Sequence, residues 1–399
     1  MAVNTTLGSA RQFLPYFVIT GALSMGYGSV FTLLAEFREK FGFSETELGF
    51  IAGVGFFAGV IAQVGLARFA DQGHVRLLVH IGMIVAIVSM LGMALADLAW
   101  QFMAARFFLG AGTGAVAPAV RRILITRDPI NMGSNLGAMG AFDVSGFVLG
   151  PVVAAAFAEF INLRAPFLFL AALFAVVYLW TLSLDLTAGG ATHVQVPVRR
   201  LLTIRPVLAG VLAGIAFYTT IGVFEASWAV LLDDLGASTL IIAASISLFA
   251  LPMIPLAPFG GKYAQQRGPI RVMAFSIMGA VGCMFVYGYV EYLWVLIAVS
   301  AAHAMFDAFT MPAGQLAVAL SAPTQQAAAA QGLYGAVGLV VSGLAAVAAG
   351  TIYDAWGPEV LFTGSSVVMV VALAGAVALG GELMGPAERS TSEPAPVSS

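Results

Sequence analysis

The feature that most constrains this chain is a succession of apolar stretches, each about 20 residues long, separated by short polar turns. A helix needs ~20 mostly apolar residues to cross ~30 Å of hydrocarbon. Twelve such stretches are read at 12–36, 46–66, 76–95, 99–122, 133–158 and 165–185, then 206–232, 239–260, 271–289, 293–319, 331–352 and 360–380. Lipid offers the backbone no hydrogen-bond partner, so a spanning segment is a helix or part of a closed barrel. The runs are too long and too evenly apolar for barrel strands, which alternate over about ten residues. The expected fold is all-α, an integral membrane protein of twelve transmembrane helices.

Composition excludes several function classes. The chain is 60% hydrophobic and 9% charged, against roughly 25% charged in ordinary soluble domains, so most of its outside must meet lipid. A net charge of -3 with no basic block gives nucleic acid nothing to bind. The single cysteine, Cys283, allows neither an intrachain disulfide nor a cysteine metal cluster. No HExxH, GxSxG or P-loop pattern occurs, so neither an enzyme nor a cofactor is expected. The first apolar run, residues 13–35, is too long for a signal h-region, and no cleaved leader is expected.

Lysine and arginine are unevenly shared between the two sets of connections. One set holds Arg11, Arg68, Arg76, Arg121, Arg122, Arg127, Arg199, Arg200, Arg205, Lys262, Arg267, Arg271 and Arg389. The other holds only Arg38, Lys40 and Arg164, among many carboxylates. The positive-inside rule then puts both termini in the cytoplasm, with the chain in the cell's inner (plasma) membrane. A basic polar segment at 187–204 splits the helices six and six. The expected units are a bundle at 1–186, a cytoplasmic linker at 187–204, a bundle at 205–381 and a disordered tail at 382–399.

The halves repeat each other. Ala67-Arg68-Phe69-Ala70-Asp71-Gln72-Gly73-His74-Val75-Arg76 follows the second span, and Gly261-Lys262-Tyr263-Ala264-Gln265-Gln266-Arg267-Gly268-Pro269-Ile270-Arg271 follows the eighth. Gly137-Ala138-Met139-Gly140 with Ser145-Gly146 matches Gly335-Ala336-Val337-Gly338 with Ser342-Gly343. A six-helix unit duplicated in one orientation is a parallel-repeat transporter plan, with the substrate site near mid-membrane between the halves.

Three motifs make the chain resemble the major facilitator superfamily. The loop after the second span is similar to that family's Gly-x-x-x-Asp-Arg-x-Gly-Arg signature, with Asp71, Gly73 and Arg76, although Ala67 replaces the first glycine and one residue is missing. The fourth span carries Arg106-x-x-x-Gly110-x-Gly112-x-Gly114, similar to a motif tied to proton coupling. The fifth carries Gly146-x-x-x-Gly150-Pro151, similar to the antiporter motif of drug:proton exchangers, with Ala154 and Ala155 where glycines usually stand. The resemblance implies two pseudo-symmetric six-helix bundles and a central cavity lined by helices one, four, seven and ten. It also implies a cytoplasmic latch in which Asp71 caps a neighbouring helix; Gln265 at the matching place leaves a second latch open.

Charges inside apolar spans are costly, at least ~2.5–3.5 kcal/mol each on insertion scales, and mark pathways. Arg106, Asp143, Glu225, His303 and Asp307 are therefore the candidates for proton coupling, with His80 as a satisfied edge histidine. His303 and Asp307, four apart, share a helix face and could exchange a proton or simply satisfy each other. Tyr27, Phe31, Trp228, Phe306 and Phe309 are the candidate substrate contacts, an aromatic set suited to lipophilic cations or to plain packing. The function expected is a proton-coupled exporter of small amphipathic molecules working by alternating access. The alternative is an importer or facilitator of a sugar, organic anion or amino acid, with Arg106 as an anion anchor. The expected partners are a small-molecule substrate, protons and the bilayer, around a monomeric protein without metal or cofactor.

Overall fold

The computed structural model describes residues 3–188 and 198–386, apart from the side chains at 3–11, 31, 32, 35, 45, 46, 49, 52, 239, 240 and 243. Most of the expected linker, at 189–197, and most of the expected tail, at 387–399, lie outside the described residues. No strand occurs among the described residues. In chain order the first half comprises α1 (Val3–Thr32), a short helix Leu34–Phe41, α2 (Glu45–Phe69), α3 (Val75–Leu95), α4 (Ala99–Arg127), α5 (Met132–Phe160) and α6 (Ala165–Thr181). The second half comprises α7 (Arg205–Asp234), α8 (Thr239–Arg267), α9 (Pro269–Tyr289), α10 (Leu293–Ser321) and the run Ala327–Leu379. Gly357 breaks that run into α11 and α12, at φ 79°, where a side chain would be strained.

Nine of the described helices are long and apolar enough to cross a membrane. Two of them, Gly53–Leu95 and Thr324–Leu379, each hold a pair of spans, and α6 is a shorter apolar helix, which completes the twelve. The reversal inside the first pair is a π-turn, Ala70–His74, where Gly73 takes φ 91°. Arg68, Arg76, Arg127, Arg205, Lys262, Arg267 and Arg271 gather at one end of the helices, here the basic end. Asp97, Asp233, Asp234 and Glu291 mark the other, acidic end. Ser44 starts α2 there with a capping box: its hydroxyl accepts from the Glu47 amide while Glu47 accepts from the Ser44 amide. Those bonds hold the exposed Glu47 carboxyl below its ordinary range.

The outer faces of α3, α6, α9 and α12 expose Val88, Val176, Leu179, Phe275 and Val371, apolar side chains that only lipid can cover. Inside the first half, glycine seams bring backbones into contact. A Cβ on Gly110 or Gly114 would fall on the carbonyls of Gly55 or Gly59 in α2. One on Gly112 would meet Gly82 in α3. Gly146 and Gly150 of α5 lie in the same way on the carbonyls of Gly21 and Met25 in α1. Pro151 cannot donate to the Phe147 carbonyl one turn back, which instead faces Gly28 of α1. The family-like glycines of α4 and α5 are thus the contact surface of the first bundle.

Between the bundles, α5 lies on α8 and α2 on α11. The close approaches there, Gly133 on Gly261, Gly137 on Ala257 and Gly332 on Gln63, fall in the basic halves of these helices.

Candidate transport cavity and its gates

Two side chains lock the basic end. Asp71, in the π-turn after α2, accepts hydrogen bonds from the amides of Ala328 (2.9 Å) and Ala329 (2.8 Å) at the start of α11. A carboxylate there satisfies orphan amides and meets the positive end of the helix dipole. Arg122 of α4, wholly buried, pairs with the same carboxylate and donates to the Thr324 carbonyl at 2.9 Å. Three elements, α2, α4 and α11, are tied across the bundle boundary in this way.

Gln265, which the sequence left open as a latch, does the matching work on the other side. Its Oε1 accepts from the Gly133 amide at the start of α5 (2.8 Å). Its Nε2 donates to the carbonyls of Pro129 (2.9 Å) and Ile130 (3.0 Å). An amide carries both an acceptor and donors, so it caps the helix and anchors the preceding turn without an arginine. Arg76 stands outside the latch; it is exposed and its Nε approaches His80 Nε2 at 3.4 Å. His80 also meets the Tyr178 ring edge-on, 5.7 Å between centroids, and its Nδ1 is buried with no hydrogen-bond partner among the described residues.

Above the latches lies a cavity of about 200 Å³ bounded by α1, α2, α4, α5 and α11. Thr20, Tyr27, Gln63, Thr113, Arg121 and Asp143 give it a polar lining. Asp143 is about 16 Å along α5 from Met132, at the 1.5 Å rise of a helix, so it sits deep in the membrane. Asp143 Oδ1 and Arg121 Nε are both buried with no hydrogen-bond partner among the described residues, and no ion pair joins the two side chains there. Leaving such groups unmet costs about 1–3 kcal/mol each, and both side chains line the cavity. The buried phenol of Tyr334 on α11, also without a hydrogen-bond partner among the described residues, and Tyr218 on α7 lie within electrostatic reach of Arg121.

Arg106 sits beside this cavity, fully buried. It donates to the Tyr27 carbonyl at 2.8 Å and lies 4.1 Å over the Tyr27 ring. Tyr27 in turn packs edge-on against Phe56 of α2, 5.1 Å between centroids. Glu225 is exposed on α7 and stands within electrostatic reach of Tyr27. Tyr27 and Asp143 thus line the cavity, and Arg106 joins it through its contacts with Tyr27. The side chain of Phe31 lies outside the described residues.

His303, Asp307 and Trp228 do not face the cavity. They are buried inside the second bundle, each about 1% exposed. His303 Nε2 lies 3.8 Å from Asp307 Oδ2, and its Nδ1 is 3.1 Å from the Tyr287 hydroxyl of α9. Trp228 stacks on Phe224, meets Tyr287 edge-on and donates its N–H to Ser245 at 2.9 Å. The face of α10 turned to α5 carries Ala304, Ala308 and Met311, while His303 meets the Phe249 ring of α8 edge-on, 5.8 Å between centroids. Each residue turns a helix by about 100°, so His303 and Asp307 share a face that happens to be the inner one. Phe306 and Phe309 point another way again, into a groove between α8, α9 and α10. Among the described residues no three His, Cys, Asp or Glu side chains converge as metal ligands.

The sequence groups Arg121 and Arg122 with the polar connections, whereas the structure keeps both inside α4, within six residues of its end. One lines the cavity and the other is the buried half of the latch. Their signal was present but faint: adjacent arginines after Pro118, still inside a helical apolar run.

Comparison with known proteins agrees with this architecture. The sequence profile of the Major Facilitator Superfamily matches residues 16–225 and again 207–398. The chain is 25% identical, over 185 residues, to the multidrug resistance protein MdtG of Salmonella heidelberg and to that of Salmonella arizonae. The match covers 45% of this chain and 46% of each of those proteins, about half their length. Its fold superposes on the crystal structure of the human organic anion transporter MFSD10 (TETRAN) with a TM-score of 0.69, at 14% identity, over 92% of this chain and 99% of the other. With both halves matched by one family profile, a twelve-helix fold and a polar cavity between two latched bundles, the chain belongs to the Major Facilitator Superfamily.

Proposed function

We propose that this protein exports small amphipathic molecules in exchange for protons, with its basic end in the cytoplasm of a bacterial-type inner membrane. The arginine-rich end supports that orientation through the positive-inside rule. The partial similarity to multidrug resistance proteins supports export. The observation that carries coupling is Asp143: a carboxylate deep in the membrane, lining the cavity with one oxygen unmet. Proton and substrate compete for this carboxylate. Protonation removes its charge and favours closure over an empty cavity; a substrate with a cationic or hydrogen-bond-donating group takes the proton's place. Coupling follows because each ligand binds the two bundle arrangements with different strength. Arg106 holds α1 to α4 beside the carboxylate, and Glu225 receives substrate on the path to the acidic end.

Reconstitution in liposomes with an internal pH dye tests this. With a proton gradient imposed, lipophilic cations should dissipate it, and Asp143→Asn should abolish that exchange while downhill substrate movement persists. Undiminished proton-driven export by Asp143→Asn would remove the carboxylate from the mechanism. Arg121 favours a second reading, an organic anion as cargo, because its Nε is unmet in the same cavity. Flux of organic acids rather than cations, lost in Arg121→Gln, would establish that reading instead.

A further inference from the structure

A groove larger than the central cavity lies on the flank of the second half. It opens sideways towards lipid between α8, α9 and α10, with a volume of about 570 Å³. Its walls are aromatic and apolar: Phe275 is 77% exposed, Met305 is half exposed, and Phe306 and Phe309 line the inner side. Two guanidinium groups, Arg267 and Arg271, crown it at the basic end. Among the described residues neither makes an ion pair; Arg267 lies over the Tyr263 ring, 5.6 Å from its centre. Gly279 lets the Phe306 ring pack directly on α9, since any Cβ there would run into it.

The corresponding place in the first half is built differently. Gly73 and Arg76 match Gly268 and Arg271, and nothing there matches Arg267. Four residues after Arg76 comes His80, which engages that arginine; four after Arg271 comes Phe275, which leaves its arginine free. Among the described residues, the pair of arginines without a neighbouring imidazole thus stands in the second half, and the matching place in the first half differs.

We infer that this groove is a binding site for an anionic phospholipid of the leaflet at the basic end. The phosphate is held by Arg267 and Arg271, and one acyl chain lies along Phe275, Met305, Phe306 and Phe309. Basic pockets between membrane helices hold anionic headgroups for this reason: each arginine near the surface attracts them, and the chain supplies apolar contact. The occupant is a lipid rather than a soluble anion because most of the wall is apolar and open to hydrocarbon.

The test is native mass spectrometry of the purified full chain, titrated with phosphatidylglycerol or phosphatidylcholine. Phosphatidylglycerol should be retained more strongly than phosphatidylcholine. Arg267→Gln with Arg271→Gln should weaken its retention roughly 25-fold, about fivefold for each arginine, and leave phosphatidylcholine unchanged. Met305→Trp, which fills the groove from an exposed position and leaves both arginines, should weaken phosphatidylglycerol as well. Glycerophosphoglycerol, the headgroup without chains, should not compete. Equal retention by the double variant, no effect of Met305→Trp, or competition by the bare headgroup at matching concentration would each overturn the assignment. So would displacement of the lipid by an amphipathic organic acid that the protein also transports, which would make the groove part of the substrate path.

Discussion

Arg106 is held by two kinds of contact that make different demands on a side chain. The bond to the Tyr27 carbonyl needs a donor, and the stack on the Tyr27 ring needs a flat cation. Lysine supplies the first but only a compact ammonium for the second, without the planar stack and with stronger hydration, so the change is not conservative at a buried stacked position. Arg106→Lys should therefore lower transport about tenfold, the loss of a desolvated cation–π contact worth up to ~2 kcal/mol. Transport in liposomes at matched protein content measures it; wild-type rates in the variant would reduce Arg106 to a tether. Burial inside an apolar run made Arg106 and Asp143 legible in the sequence, because position alone signals the cost. Arg121 and Arg122 were not legible in that way. A charge near a helix end reads as solvated, and only the fold, by laying Asp71 and α11 across it, buries Arg122. His303 and Asp307 were seen as a pair, but spacing shows that two residues share a face and not which neighbour that face meets.

At the scale of elements, the repeat in sequence does not guarantee a repeat in packing. Gly146 on α5 and Gly343 on α11 each follow a serine in the repeated segments, but they stand nine and eight residues after Gly137 and Gly335, a slip of one residue or about 100° around a helix. Gly146 lies on the Gly21 carbonyl of α1, whereas the space around Gly343 is open. In the second half the close approach is made from the other helix, by Gly222 of α7 on the Ser342 carbonyl. Gly146→Ala should force α1 from α5 at a cost of about 1–3 kcal/mol, the range for overpacking, and lower the Tm by several degrees. Gly343→Ala should change neither Tm nor transport. Equal shifts in both variants, followed by thermal unfolding in one detergent, would mean that the seam on α1 is not what selects glycine. The twelve spans themselves were legible because a bilayer fixes their length. The seam partners were not, since a small residue in a helix permits close approach without naming the helix that makes it.

For the whole molecule, the two latches act on one equilibrium. Asp71 and Gln265 project from different bundles, each capping a helix of the opposite one, so opening the basic end breaks both. Their strengths differ. Removing the Asp71 carboxylate strands the buried Arg122, a loss of about 3–5 kcal/mol. Removing the Gln265 amide forfeits three neutral hydrogen bonds at about 0.5–1.5 kcal/mol each. The two share no partner, so their effects on closure should add to within a few tenths of a kcal/mol. A cysteine at Thr113, on the cavity wall, reports opening, and the native Cys283 is buried and gives little background. An impermeant thiol reagent applied from the basic end should label Thr113→Cys faster in Gln265→Ala, faster still in Asp71→Ala, and fastest in the double variant. Each 1.4 kcal/mol corresponds to about tenfold in the open population until opening saturates. Saturation already in Gln265→Ala alone would mean that the amide outweighs the ion pair. Faster labelling from the acidic end would mean that the caps hold the basic end open. Either result would reverse the order of strengths or the direction of gating derived from the caps, whereas graded labelling from the basic end ties both to a single closing motion.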